Sequence, residues 1–303
     1  MASLVPVSVI IVSYNTREHL RRCLQSLMGE AAEVIVVDNA SKDGSPDLVA
    51  GEFPTVKLIR SPLNVGFGAA NNRGMEVATQ PLVLFLNSDA EAEKGSIEML
   101  VRVFDDPSVI AAGGRLYDDR GLQSSCCSQL TLWRIFCEQT ALEKLFPGSI
   151  FDSYWLSRRL AQRGPGPHEV AQVMGACLMM RPVERFDESF FLYCEDTELC
   201  RRLAKRGRIL YVDAPFRHAL GTSTEGNRGW AVAMYNRGKE MYFAKHQGLL
   251  AKWTCLFLNR SGGFLRLVAG ILRRNKRQIK IFDDVVFGPL AGPALPPDAH
   301  ERP

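Results

Sequence analysis

Apolar residues in the first third of the chain fall into short β-branched blocks, each followed by a segment with helical spacing. "PVSVIIVSY" (Pro6–Tyr14) has the composition of a strand buried on both faces. In the next segment Leu20, Cys23, Leu24 and Leu27 share one helical stripe, with Thr16 placed to cap the helix and Gly29 near its end. The blocks Glu33–Asp38, Val56–Ser61 and Pro81–Ala90 predict further strands. Helices are expected after "NASKDGSP", over Gly68–Ala78 and in "GSIEMLVRVFDD". A strand-helix repeat of about 25 residues predicts parallel βαβ units and an α/β, Rossmann-type, doubly wound, mostly parallel sheet. Such sheets bind ligands at the carboxyl ends of their strands, here Ser13–Tyr14, Asp38–Asn39, Asn64–Gly66 and Asn87–Asp89.

After about Gly114 the rhythm breaks, and a less regular lobe is expected to cover the mouth of the first half. Helices are predicted around Trp133–Phe146 and Asp152–Gln162, a strand over Glu169–Arg181, a helix in "EDTELCRRLAKRG" and a strand in "RILYVDA". The reading divides the chain into 1–115, 116–225 within the same domain, a helical segment 226–285, and a tail 286–303. That tail holds five of the sixteen prolines and is expected to be disordered.

Composition adds little until it is divided. Of 303 residues, 46% are hydrophobic and 23% charged, which excludes a disordered or fibrous chain. The net charge of +4 is too small to imply a nucleic-acid binder, but residues 251–303 hold nine basic and four acidic side chains, leaving residues 1–250 at −1. Eight cysteines without a CxxC pair or metal-ligand spacing are expected to be reduced thiols, pointing to a cytoplasmic location. The apolar run Val5–Val12 is short for a signal peptide, and no stretch reaches the ~18 apolar residues of a spanning helix.

The candidate chemistry lies at the strand ends. There is no GxxxxGK[ST] loop, and the first strand-helix turn, "SYNTRE", has no glycine to admit a pyrophosphate; "GFGAAN" is an incomplete GxGxxG in the wrong place. Asp38 and Asp89 each close an apolar strand, where a carboxylate can bind a nucleoside or hold a divalent cation; turn formation explains them equally well taken singly. Glu195 and Asp196 begin a helix on the side of Leu199 and Leu203, with Arg201, Arg202, Lys205 and Arg206 opposite. Helix-dipole complementarity accounts for acids in a first turn. It does not account for their facing the packed side, where carboxylates are costly unless used.

These residues, in this order, resemble the family-2 glycosyltransferases, inverting enzymes of GT-A fold that use nucleotide-diphosphate sugars. The resemblance runs from "VSVIIVSYNTREHLRRCLQSL" and "EVIVVDNASKDGS" through "NVGFGAANNRGMEVA", "PLVLFLNSDA", "VMGACLMMR" and "FDESFFLYCEDTELCRRLAKRG" to "RHALGTST", about residues 6–225. The wording is most like the bacterial rhamnosyltransferase branch that builds cell-surface polysaccharide. The resemblance implies that Ser13 and Tyr14 line the base pocket, Asp38 binds the nucleoside, and Asn71 or Asn72 contacts the nucleotide. Asn87, Ser88 and Asp89 stand at the DxD position, with Asp89 toward a Mg²⁺ or Mn²⁺ ion and His218 completing its shell. Asp196 is implied as catalytic base, with Glu195 positioning the acceptor. Two positions depart from the pattern: Asn87 replaces the first aspartate of DxD, and His218 is one histidine where many relatives carry two. The implied partners are a dTDP- or UDP-linked sugar, rhamnose or another hexose, and a glycan or polyprenyl-linked acceptor. A nucleotidyltransferase or a catalytically silent nucleotide-sugar-binding or scaffolding module are the alternatives; the "GxGTR" loop of the former is absent.

From Lys252 to Lys280 there are eight basic residues and no acidic one. Wound as one helix, Arg266, Arg273, Arg274, Lys276, Arg277 and Lys280 face one way, and Phe264, Leu265, Leu267, Val268, Ile271 and Leu272 the other. Two readings follow: a peripheral helix on an anionic membrane surface, on its cytoplasmic face, or a helix packed on the catalytic lobe with its basic side in water. No nucleic-acid-binding module accompanies the stripe.

Overall fold

The computed structural model describes residues 4–146, 149–152, 154–219, 228–290, 292 and 295. The strands are β1 (Val5–Ser13), β2 (Ala31–Asp38), β3 (Lys57–Arg60), β4 (Leu82–Asn87), β5 (Ala90–Ala92), β6 (Val109–Asp118), β7 (Gly121–Leu122), β8 (Cys126–Cys127), β9 (His168–Glu169), β10 (Gln172–Val173), β11 (Cys177–Met180) and β12 (Arg208–His218). The helices are α1 (Arg17–Leu27), α2 (Ser45–Glu52), α3 (Phe67–Val77), α4 (Ser96–Arg102), α5 (Leu132–Thr140), α6 (Leu142–Leu145), α7 (Ser157–Ala161), α8 (Glu195–Leu203), α9 (Arg228–Gln247), α10 (Leu249–Leu272) and α11 (Lys276–Phe287).

The main sheet has the order β3-β2-β1-β4-β11-β6-β12-β5. β1 to β4 are parallel to their neighbours, β11 is inserted antiparallel between β4 and β6, and β12 runs parallel to β6. The doubly wound, mostly parallel sheet is therefore present, and strands from both sides of residue 115 interleave in it. Its apolar runs are buried on both faces, as expected for parallel strands. Val7, Val9 and Ile11 join one core with Leu20, Cys23, Leu24 and Leu27 of α1, while Ile10 joins the other with α3 and α8. A third cluster, including Phe190, Cys194, Tyr242 and Cys255, unites the second half with α9 and α10.

Several expected elements are divided. The block Pro81–Ala90 becomes β4 and β5, with Ser88 and Asp89 in the turn between them. The strand expected over Glu169–Arg181 becomes β9, β10 and β11, because Met174–Ala176 turns out to serve α8, as described below. The helices expected over Trp133–Phe146 and Asp152–Gln162 are the shorter α5, α6 and α7. Thr16 precedes α1 but makes no side-chain cap; its hydroxyl is spent elsewhere.

The C-terminal helices correct the single-helix wheel. Arg274 takes a positive φ of 53°, and the Asn275 side chain accepts from Gln278 N at 3.1 Å to cap a new helix. α11 then packs back on α10. The inward side of α10 is small or polar (Ala251, Cys255, Asn259, Gly262, Gly263, Gly270), while Leu250, Trp253, Phe257, Phe264, Leu265, Ile271 and Leu272 are each more than half exposed. Of the basic stripe, Arg266 turns inward to Gln139 Oε1 (2.6 Å) and Glu138 O (3.0 Å), and Arg260 binds Gly288 O (2.8 Å). α10 is also long and apolar enough, by length and composition, to cross a membrane. The region read as a disordered tail begins inside α11, which runs to Phe287; residues 291, 293, 294 and 296–303, like 220–227 with the end of the "RHALGTST" motif, lie outside the described residues.

One buried charge staples the sheet base. Glu33, at the start of β2, accepts from Ser8 Oγ, Lys57 Nζ, Thr79 N (2.9 Å) and Thr79 Oγ1 (3.1 Å). Burial alone would raise its carboxyl, but Lys57, Ser8 and Thr79 together lower it from 4.5 to about 2. A depression of that size corresponds to roughly 2–3 kcal/mol of stability, fully present above the unfolded-state value and lost as pH falls toward about 2. Glu33→Gln is expected to cost about that much in urea melts at neutral pH, and the gap to the parent should close between about pH 4.5 and 2.

Candidate active site

The parallel strands deliver their carboxyl ends to one rim. Ser13 and Asp38 are register partners there, and Asn39 N donates to Ser13 O at 2.8 Å. Asp38 is buried; its Oδ2 accepts from Ser41 N (3.1 Å), and its Oδ1 has no partner. Burial pushes its carboxyl up, against the Ser41 hydrogen bonds. A buried carboxylate oxygen left open at a strand end is suited to a ligand hydroxyl or amide. Tyr14 is half-buried at the same rim, whereas Ser13 is fully buried and enters a hydroxyl chain: Ser13 Oγ lies 3.2 Å from Thr16 Oγ1, which donates to Ser88 Oγ at 2.9 Å. The chain ties β1 to β4, so Ser13 and Ser88 shape the rim from behind.

Asn72, expected at the nucleotide, has a different role. Its Nδ2 donates to Phe186 O and Glu188 Oε1, both at 3.0 Å, and its Oδ1 accepts from Phe186 N at 2.9 Å. With both ends of the amide spent, it fastens α3 to the segment leading into α8. Asn71 donates to Phe67 O within its own helix (3.0 Å). Two further residues matter here, Asn39 of the expected strand end and Arg73, which the sequence reading did not single out. Asn39 clamps the Asn64–Gly66 loop through Asn64 Oδ1 (2.8 Å) and Val65 N (3.0 Å), and Arg73 reaches Ser61 Oγ from α3 (2.6 Å). The polar type of Asn39, directly after a strand-end aspartate, was the available signal.

The α3 N-terminus is fixed by a close approach. Gly66 has φ +85°, and a Cβ there would lie 2.3 Å from Phe191 O, which itself accepts from Phe67 N at 2.9 Å. "NVGFG" and "FFLYCED" are thus two sides of one contact.

At the β4 end, Asp89 and His218 meet because β12 pairs with β5 so that His218 lies opposite Ala90. His218 Nε2 is 3.2 Å from Asp89 Oδ1 and 3.2 Å from Asn87 Nδ2, and its Nδ1 is 2.8 Å from Gln123 Oε1. Asp89 and His218 are 8% and 2% exposed. Beside His218 opens a cleft of about 430 Å³, lined also by Arg22, Arg120 and Arg217 with Glu91, Asp118 and Asp119. Among the described residues no group of three or more His, Cys, Asp or Glu side chains is arranged around a cation. Asp89 and His218 supply two donors, a set that fits a divalent ion taking its remaining oxygens from a diphosphate and water.

The carboxylate pair reaches the same rim through one turn. Gly175 N donates to Asp196 Oδ2 at 2.9 Å, and the next residue, Ala176, accepts through its carbonyl from Asn87 N at 3.1 Å. Asp196 Oδ1 accepts from Thr197 N at 2.7 Å. Withdrawal from water raises the Asp196 carboxyl, and the Gly175 and Thr197 hydrogen bonds oppose this by favouring its charged form. Glu195 is 5% exposed and its Oε2 has no partner; burial first, then the neighbouring Asp196 charge, hold its carboxyl well above the usual range. The turn before α8 is strained: Tyr193 and Cys194 have φ of +69° and +66°. α9 braces it through Gly238, where a Cβ would lie 2.6 Å from Tyr193 O. Behind α8, Glu198 is fully buried between Arg202 (2.8 Å) and Lys245 (2.7 Å); Lys245 ties α8 to α9, and Arg202, which also bonds Glu184 and Arg185 O (2.6 Å), is drawn out of the solvated basic face.

Known proteins share this fold. Residues 8–151 match the family model of Glycosyl transferase family 2. The chain is 26% identical, over 93% of its length and 99% of the relative's, to N-acetylglucosaminyl-diphospho-decaprenol L-rhamnosyltransferase of Mycobacterium tuberculosis. It is 33% identical to a putative glycosyltransferase of Bacillus subtilis over 38% of this chain and 36% of that one. Among solved structures, a mannosyltransferase of Pyrobaculum calidifontis in complex with GDP-Man and Mn²⁺ aligns over 93% of this chain and 79% of its own, with TM-score 0.56 and 17% identity. TarS of S. aureus (residues 1–349) aligns over 93% and 81%, with TM-score 0.51 and 17% identity. With the sheet and the strand-end acids in this order, residues 8–151 carry a family-2 glycosyltransferase domain, and the chain is a glycosyltransferase of GT-A fold.

Proposed function

We propose that the enzyme transfers rhamnose or another hexose, with inversion, from a dTDP- or UDP-linked donor to a hydroxyl of a polyprenyl-linked glycan in cell-surface polysaccharide synthesis. The observation that carries this reading is the Gly175–Ala176 turn, which bonds Asp196 on one side and the Asn87–Asp89 strand end on the other. The near full-length likeness to the mycobacterial rhamnosyltransferase supports the sugar and the lipid-linked acceptor. Division of labour follows the halves read from the sequence: 1–115 for the donor, 116–225 for the acceptor.

In this reading the open Asp38 oxygen takes a hydrogen bond from the nucleoside and Tyr14 lies against the base. Asp196 accepts the proton of the acceptor hydroxyl as that oxygen attacks the anomeric carbon. The bond to the diphosphate breaks on the opposite face, and the leaving group keeps its electron pair. Such a base contributes ~10²–10⁴-fold. Glu195, open at Oε2, orients the acceptor by hydrogen bonding. A Mg²⁺ or Mn²⁺ ion held by Asp89 and His218 would neutralise the charge that develops on the diphosphate.

In this reading the outward face of α10, with Lys252 and the basic residues at the α10–α11 corner, rests on the anionic cytoplasmic face of a membrane that carries the polyprenyl acceptor. A helix whose other side is committed to α5, α9 and α11 favours lying on the surface over crossing it. The eight cysteines are free and buried, in keeping with a cytoplasmic enzyme.

Asp196→Asn is expected to bind donor as the parent does by calorimetry while acceptor-dependent release of nucleoside diphosphate falls at least ~10²-fold; parental turnover would refute the base assignment, and donor binding without turnover in the parent would favour a silent module. Because burial raises the Asp196 carboxyl and the base must be ionised, the acidic limb of kcat/KM should lie above the ordinary carboxylate value of 3.8, with activity lost as pH falls through it. Trp253→Ser with Phe257→Ser should abolish flotation with anionic liposomes and leave transfer to a soluble acceptor intact; unchanged flotation would remove the membrane surface as a partner.

A further inference from the structure

Gln123, in the connection between β7 and β8, belongs to none of the motifs above, is 8% exposed, and is anchored by its backbone N–H to Leu116 O at 2.9 Å. Its Nε2 donates to the carbonyl of His218 at 2.7 Å, and its side chain also bonds the Asp118 carboxylate. A carbonyl and a carboxylate are acceptors only, so both call on the amide nitrogen, and Oε1 is the end that meets His218 Nδ1 at 2.8 Å. An amide oxygen cannot donate, so Nδ1 carries the proton. The lone pair of the neutral ring is then on Nε2, the nitrogen 3.2 Å from Asp89 Oδ1. Asn87 agrees with this assignment, since the atom it turns toward Nε2 is its donor, Nδ2.

We propose that Gln123 is a positioning residue that locks His218 as its Nδ1–H tautomer, so that Nε2 and Asp89 Oδ1 together form a prepared two-donor seat for a divalent cation. Two acceptors held 3.2 Å apart in a nearly dry site repel each other unless a cation or a proton lies between them. An amide at Asn87 then has a physical sense: its Nδ2 can hydrogen-bond the Nε2 lone pair until a cation takes it, where a carboxylate in its place would add to the repulsion. The inference rests on the cation reading above and extends it to a residue that touches neither ion nor substrate.

The test uses the full chain. Nitrogen-15 histidine spectra of the metal-free parent, at a pH where imidazole is neutral and with His218 assigned through His218→Gln, should show the Nδ1–H tautomer. Titration with Mn²⁺, free ion read by electron paramagnetic resonance, should give affinity ~10–100-fold weaker for Gln123→Leu than for the parent. Donor binding in chelator and the thermal midpoint report whether that variant is otherwise intact. An Nε2–H tautomer in the parent overturns the proposal, and that readout stands even if the variant fails to fold. A folded Gln123→Leu with parental Mn²⁺ affinity overturns it as well. A parent that binds no Mn²⁺ overturns the cation reading itself, leaving the tautomer spectrum to separate the two failures.

Discussion

Backbone groups of two consecutive residues, the N–H of Gly175 and the carbonyl of Ala176, hold the site together. One fixes Asp196 and the other fixes the end of β4. Neither α8 nor β4 contains the information for their relative placement. The antiparallel insertion of β11 supplies it, because Cys177 must align with Leu86 for the ladder to form, and this sets the turn before it at the mouth of the sheet. Moving that turn would separate Asp196 from the Asn87–Asp89 strand end. Backbone hydrogen bonds are well suited to the task, since they keep an aspartate charged in poor solvent without adding a competing cation.

The sheet was legible because its determinants are local. Apolar runs of β-branched residues specify buried parallel strands, and the α1 stripe of Leu20, Cys23, Leu24 and Leu27 matches its burial residue for residue. Glu195 and Asp196 were legible as a pair because carboxylates on the packed side of a helix are unusual; that Gly175 N donates to Asp196 while Glu195 Oε2 is left open could be read only in three dimensions. Asn72 shows the opposite case. Its position suggested a ligand contact, yet its partners, Phe186 and Glu188, lie more than a hundred residues along the chain. Gln123 gave no signal at all, since its meaning comes from a strand pairing that brings His218 beside it.

The C-terminal segment separates charge counting from structure. A periodicity argument assumes one continuous helix, and the left-handed Arg274 ends it after α10. What remains of the amphipathic idea is inverted: glycines and Asn259 face inward, allowing α11 and α9 to approach closely, while large apolar side chains face out. Arg260 and Arg266 are consumed by carbonyl groups of the protein. The positive end of the tail is thus concentrated at the α10–α11 corner rather than spread along a face.

The brace between Gly238 and the Tyr193–Cys194 turn governs how such enzymes can be recombined. Left-handed non-glycine residues cost of order 1–3 kcal/mol each, and they persist only where neighbours over-determine them. Here the neighbour is a helix that follows the glycosyltransferase fold core in sequence and resembles a removable appendage. A chimaera joined between β12 and α9 inherits its turn from one parent and its brace from the other, so the helices behind the catalytic pair have to travel with it. The heritable unit therefore extends past β12 into α9.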